Sequence, residues 1–84
     1  MPKKVTIYMT TYCPHCRKAK ELLKQKNVAF QEVDLTNNAV ERERLETQTG
    51  WMTVPMIFIG EEFVGGADDL ERLSRSGELD KKLR

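Results

Sequence analysis

Along Val5-Thr6-Ile7-Tyr8-Met9, apolar and polar side chains alternate and are rich in β-branched and aromatic types, the pattern of a strand. Thr10-Thr11-Tyr12 then leads into a helix whose first residue is Pro14, since the fixed φ and missing N–H of proline suit that position. Cys13 becomes its N-cap. Cys16, Ala19, Leu22 and Leu23 recur at helical spacing, while Arg17, Lys18, Lys20, Glu21 and Lys24 fill the other face, and Asn27 offers a left-handed stop after about three turns. A second strand is expected over Ala29 to Leu35. Thr36 or Asn37 then caps a charged helix from about Ala39 to Thr49, with Val40 and Leu45 as its few core contacts and Gly50 ending it.

The run Met56-Ile57-Phe58-Ile59 reads as a buried strand. Gly60-Glu61 before Glu62-Phe63-Val64-Gly65 fits a two-residue hairpin, so these two strands are antiparallel. Gly66-Ala67-Asp68-Asp69-Leu70 opens a last helix that continues through Leu73, with acids in its first turn, followed by Gly77 and a short tail. The resulting order, β-α-β-α-β-β-α, is that of an α/β fold. A strand-helix-strand unit pairs its strands in parallel and the hairpin completes a four-stranded mixed sheet, flanked by three helices that cover both faces. With neither repeats nor a linker rich in Gly, Pro or Ser, residues 1–84 read as one domain.

Composition narrows the function. The chain has 84 residues and a formal net charge of +1, without the clustered basic excess of a nucleic-acid binder. Its longest apolar run, Val54 to Ile59, falls far short of the roughly 20 residues of a spanning helix. The lysines near the start precede no apolar segment of a secretion signal, so the expected compartment is the cytoplasm. Charge is nevertheless uneven. Residues 1–30 hold seven basic side chains against the single acid Glu21, and the basic part surrounds both cysteines. This is either a solvated helix face or a local positive field that favours a thiolate and draws anionic substrates.

Both cysteines lie in Cys13-Pro14-His15-Cys16, a C-x-x-C motif at a strand-to-helix junction. Positions i and i+3 share a helix face with Cα atoms roughly 5 to 6 Å apart, so a reversible disulfide forms with little backbone movement. At the N-cap, the Cys13 sulfur meets amide donors and the positive helix end, which lower its pKa and make it the attacking thiolate. Cys16, one turn inside, is the resolving partner. Two cysteines flanking one histidine do not make a zinc site, and haem attachment needs His where Arg17 stands. A structural bridge closing so short a loop would remove little chain entropy. His15 is either an exposed loop residue or an imidazole that favours the thiolate. Trp51, next to Gly50, is either core or a surface contact.

Cys13-Pro14-His15-Cys16, Thr53-Val54-Pro55 before Met56-Ile57-Phe58-Ile59, and Gly65-Gly66-Ala67-Asp68-Asp69-Leu70 together resemble the bacterial dithiol glutaredoxins, and the element order resembles the thioredoxin-like fold. The resemblance covers nearly the whole chain. It implies a catalytic motif of Cys13, Pro14, His15 and Cys16 and a glutathione site of Tyr12, Thr53, Val54, Pro55, Gly66, Ala67 and Asp68. Within that site it implies a cis Val54-Pro55 peptide, strand-like pairing of the Val54 backbone with the cysteinyl part of glutathione, and a γ-glutamyl carboxylate on the amides of Ala67 and Asp68, which also suits anion binding at a helix N-terminus. The family usually carries Tyr at the position of His15 and often basic residues at those of Thr10 and Trp51. The grip on the glycine carboxylate then falls to Arg17, Lys18 or Lys20.

The function so implied is glutathione-dependent thiol-disulfide oxidoreduction in a cytoplasmic monomer acting on disulfide-bonded or glutathionylated proteins. Glutathione is a cosubstrate, and no further cofactor, metal, nucleic acid or membrane is expected. The alternatives are a glutaredoxin-like redoxin reduced by a thioredoxin reductase, or a glutathione-dependent iron-sulfur cluster carrier.

Overall fold

The computed structural model describes residues 3–11 and 14–83. Strand β1 (Val5–Met9) runs parallel to β2 (Phe30–Asp34) and antiparallel to β3 (Met56–Ile59), and β3 runs antiparallel to β4 (Glu62–Gly65). The sheet order is β2-β1-β3-β4, so the two most apolar strands are central. All four residues of β3 are buried, as a continuous apolar run covered on both faces requires. Along β1 the alternation sends Val5 and Ile7 into the larger core, while Tyr8 packs on the smaller one across the sheet.

Helix α1 (Pro14–Gln25) places Cys16, Ala19 and Leu23 inward and stops at Asn27, whose φ of 58° is the left-handed turn expected there. The amide of Val28 closes back on the Leu23 carbonyl at 2.9 Å. With α3 (Ala67–Ser76) and α4 (Glu78–Leu83), α1 covers one face through Ala19, Leu23, Ala67, Leu70, Leu79 and Leu83. The opposite face carries α2 (Ala39–Thr49), whose one buried residue is Leu45, packed with Leu35, Met56 and Phe58. The four-stranded mixed sheet with helices on both faces is the fold read from the sequence.

Three local expectations need correction. The N-cap of α2 is Asn38, whose side chain accepts from the Glu41 amide at 3.2 Å. Neither Thr36 nor Asn37 fills that place, and the Thr36 hydroxyl is committed to Asp34 at 2.6 Å. Val40 lies 81% exposed, because α2 has too few apolar residues to define a buried stripe and turns only Leu45 inward. The segment after Gly77 is more than a tail. It is the fourth helix, α4, with Leu79 fully buried and the Leu83 carbonyl accepting the Lys3 amide at 2.8 Å.

The hairpin of β3 and β4 is irregular in a way that shapes the site. Ile59 faces Glu62 and Phe58 faces Phe63, but Ile57 faces Gly65, so Val64 is an extra residue, a bulge that bends the strand just before α3 begins. Gly65 then takes a φ of 113°, and a Cβ there would lie 2.5 Å from the Asp69 carboxylate, which leaves room for glycine alone.

Candidate functional site

The C-terminal end of β1 leads into the first turn of α1, beside the loop from α2 to β3 and the start of α3. The positions of Tyr12 and Cys13, and with them the expected N-cap, lie outside the described residues. Two residues earlier, Thr11 is held from β2. Its amide donates to the Thr36 hydroxyl at 2.9 Å, and its own hydroxyl donates to Asp34 at 3.3 Å. Thr36 donates to Asp34 through both its amide (2.8 Å) and its hydroxyl (2.6 Å). These bonds stabilise the charged carboxylate and lower the Asp34 pKa, the Thr36 hydroxyl being the main cause. The approach to the motif is therefore tied to the neighbouring parallel strand.

Within α1, His15 is exposed and Cys16 is 1% exposed, a contrast that fits a sulfur recessed one turn inside the helix. On the other side, the Val54-Pro55 peptide is cis. Between them opens a cleft of about 430 Å³ lined by His15, by Trp51, Thr53, Val54 and Pro55 of the loop, and by Gly66, Ala67, Asp68, Asp69 and Arg72 at the start of α3. Of the residues singled out in the sequence, His15, Thr53, Val54, Pro55, Gly66, Ala67 and Asp68 thus share one cleft. Pro14 and Cys16 sit in the first turn of α1 and are not among its lining residues.

The α3 wall is preorganised. Its N-cap is Gly66, extended at φ −101° and ψ −164°, and the Gly66 amide donates to Asp69 Oδ2 at 3.1 Å. Asp68 is exposed and faces Lys18 of α1 at 3.7 Å, but Lys18 is drawn closer to Glu71, at 2.8 Å. The pairing lowers the Glu71 pKa, chiefly through the hydrogen bond from Lys18, and raises that of Lys18 in return. Lys20 pairs with Glu32 at 3.2 Å, and Lys26 with Asp80 at 3.4 Å. Three of the seven basic side chains counted in residues 1–30 are thus matched by acids from later in the chain.

Trp51 is both of the things its sequence context allowed. Its ring meets Phe63 edge-on at 5.7 Å and packs on the smaller core, while it also lines the cleft. The indole Nε1 is enclosed, without a hydrogen-bond partner among the described residues. Two lining residues, Asp69 and Arg72, were not read as part of the site, and Trp51 was read only as a position where the family often carries a basic residue. Arg72 lies four residues beyond Asp68, so helical spacing already put the two on one face.

The glutaredoxin family model matches residues 5–64 of the chain. A glutaredoxin of Pseudomonas aeruginosa is 48% identical over 79 residues, covering 94% of each chain. Glutaredoxin 3 of Escherichia coli is 45% identical over 80 residues, covering 95% of this chain and 96% of its own. Among solved structures, a buckwheat glutaredoxin-glutathione complex superposes with a TM-score of 0.89 at 30% identity, over 94% of this chain and 74% of that one.

Proposed function

The chain belongs to the glutaredoxin family, and we propose that within it this protein is a dithiol, glutathione-dependent oxidoreductase reducing protein disulfides and glutathionyl mixed disulfides. The observation that carries this reading is the convergence of His15, the Thr53-Val54-Pro55 loop and the Gly66-Ala67-Asp68 helix start on one cleft. The buckwheat relative, solved as a complex with glutathione, supports glutathione as its occupant. The carboxylate of the γ-glutamyl group goes to the amides of Ala67 and Asp68, and the cysteinyl part lies along Val54 with Thr53 beside it. Tyr12, adjacent to the reactive cysteine in sequence, completes the site.

In the dithiol route the Cys13 thiolate attacks one sulfur of a protein disulfide, forming a mixed disulfide and expelling the other sulfur as a thiolate that takes a proton. Cys16 then attacks Cys13, releases the second substrate thiol and leaves the Cys13–Cys16 disulfide. Two glutathione thiols restore the dithiol and leave as glutathione disulfide, so two electrons pass from glutathione to the substrate. With a glutathionylated protein, Cys13 takes the glutathionyl group and a second glutathione removes it. The recessed Cys16 supports the division of labour, since a buried sulfur serves an internal attack better than a first encounter. The chain acts as a monomer in the reducing cytoplasm, with glutathione as cosubstrate.

The test is turnover of a glutathionylated peptide with glutathione as the only reductant. Cys13→Ser is expected to abolish it. Cys16→Ser should keep it while losing reduction of protein disulfides that need two thiols. Equal loss in both variants would refute the assigned roles.

A further inference from the structure

We propose that Arg72 is the specificity-determining cation of the cleft and binds a carboxylate of glutathione, an inference that rests on the reading of this cleft as the glutathione site. Glutathione brings two carboxylates to a wall that already presents Asp68 and Asp69. Something positive must offset them. At the loop position where a cation could stand, the wall is instead the indole of Trp51, whose one polar atom is buried and carries no charge.

Two lysines of α1 are engaged elsewhere: Lys18 is held by Glu71 at 2.8 Å and Lys20 by Glu32 at 3.2 Å. Neither they nor Arg17 line the cleft. Arg72 does, and its side chain is 77% exposed. Its ion-pair partner, Asp69, is 3.6 Å away, beyond hydrogen-bonding length, so the guanidinium fork keeps its donors for a planar carboxylate. Without Arg72 the two carboxylates of the ligand would approach Asp68 and Asp69 with only Lys18, 3.7 Å from Asp68 and closer to Glu71, to offset them. The grip expected from Arg17, Lys18 or Lys20 is thereby reassigned to the second turn of α3.

The experiment is steady-state turnover of a glutathionylated peptide lacking acidic side chains, for the wild type, Arg72→Ala, Arg72→Gln, Arg72→Lys and Arg75→Ala. Loss of the guanidinium in the Ala and Gln variants should raise KM for glutathione about five-fold with kcat unchanged, an effect that shrinks at high salt. Arg72→Lys should recover part of the loss. Arg75→Ala, which removes the same charge farther along α3, should leave KM unchanged. Analogues amidated at the glycyl or the γ-glutamyl carboxylate identify the bound group, because the amidation that weakens the wild type but not Arg72→Ala removes the partner of Arg72. Equal KM for wild type and Arg72→Ala, equal effects at 72 and 75, or an Arg72 effect that survives both amidations overturns the proposal. A wild-type protein that turns over with dithiothreitol but not with glutathione overturns the underlying reading and this inference with it.

Discussion

The two faces of the sheet are built to different standards. On the face of α1, α3 and α4, ten buried residues among those described form one cluster, with side chains from three helices and both central strands. On the face of α2, the buried cluster among the described residues has four, with Tyr8, Val33, Trp51, Val54 and Phe63 partly covered around it, as six apolar side chains are around the larger one. The difference tracks position relative to the cleft. Trp51 and Val54, which line it, belong to the thinner side, while the helix starts that frame it stand on the thicker one. A rigid half thus carries the helix termini, and a sparsely packed half carries the loop that meets the ligand.

The largest effect should come from the thick side. Leu70→Ala, at a position with no exposure, is expected to cost about 3 to 5 kcal/mol in urea unfolding, because the surrounding helices limit collapse of the cavity. Next, Leu45→Ala should cost about 2 to 3 kcal/mol, since α2 can settle onto the sheet, while raising KM for glutathione more than any α4 variant of equal cost, because α2 leads into the Trp51 loop. If the two leucines cost the same and neither alters KM, the comparison between the faces fails.

A smaller effect concerns Asp34. Hydrogen bonds hold its folded pKa below the ordinary carboxylate value, so their stabilisation is present above that ordinary value and is lost as pH falls through the folded one. Carboxyl NMR titration should find the Asp34 midpoint low in the wild type and moved upward in Thr36→Val. A midpoint at or above the ordinary value would contradict the geometry. The smallest effect is expected at Val40, whose replacement by Lys should change stability by less than about 0.5 kcal/mol in the same unfolding experiment.

What could be read from the sequence follows the strength of each local signal. The alternation of β1, the unbroken apolar run of β3 and the apolar face of α1 each specify an environment, and each element lies where that pattern put it. The cap of α2 and the exposure of Val40 were illegible because one buried leucine sets no phase. The helix after Gly77 had its signal in Leu79 and Leu83, four residues apart, which its brevity hid. At the site, the loop and the α3 start were marked by motifs. The Thr11, Asp34 and Thr36 cluster depends on the parallel register that sets Met9 against Asp34, a long-range fact that no short window contains.

Gly66 and Trp51 carry a last consequence, for how this cleft can change by mutation. A Cβ on Gly66 would lie 3.4 Å from Trp51 Cζ2 and 3.6 Å from the Pro55 carbonyl, and its φ of −101° is open to any residue. The obstacle at position 66 is therefore the neighbour and not the backbone. An alanine methyl just reaches contact, and a larger side chain directed at the indole must displace it. Substitutions at the two sites are consequently ordered: shrinking Trp51 first is permissive for a side chain at 66, whereas the reverse order passes through an overpacked intermediate. The pair is an epistatic gate, and the route by which this wall could acquire new side chains opens at position 51.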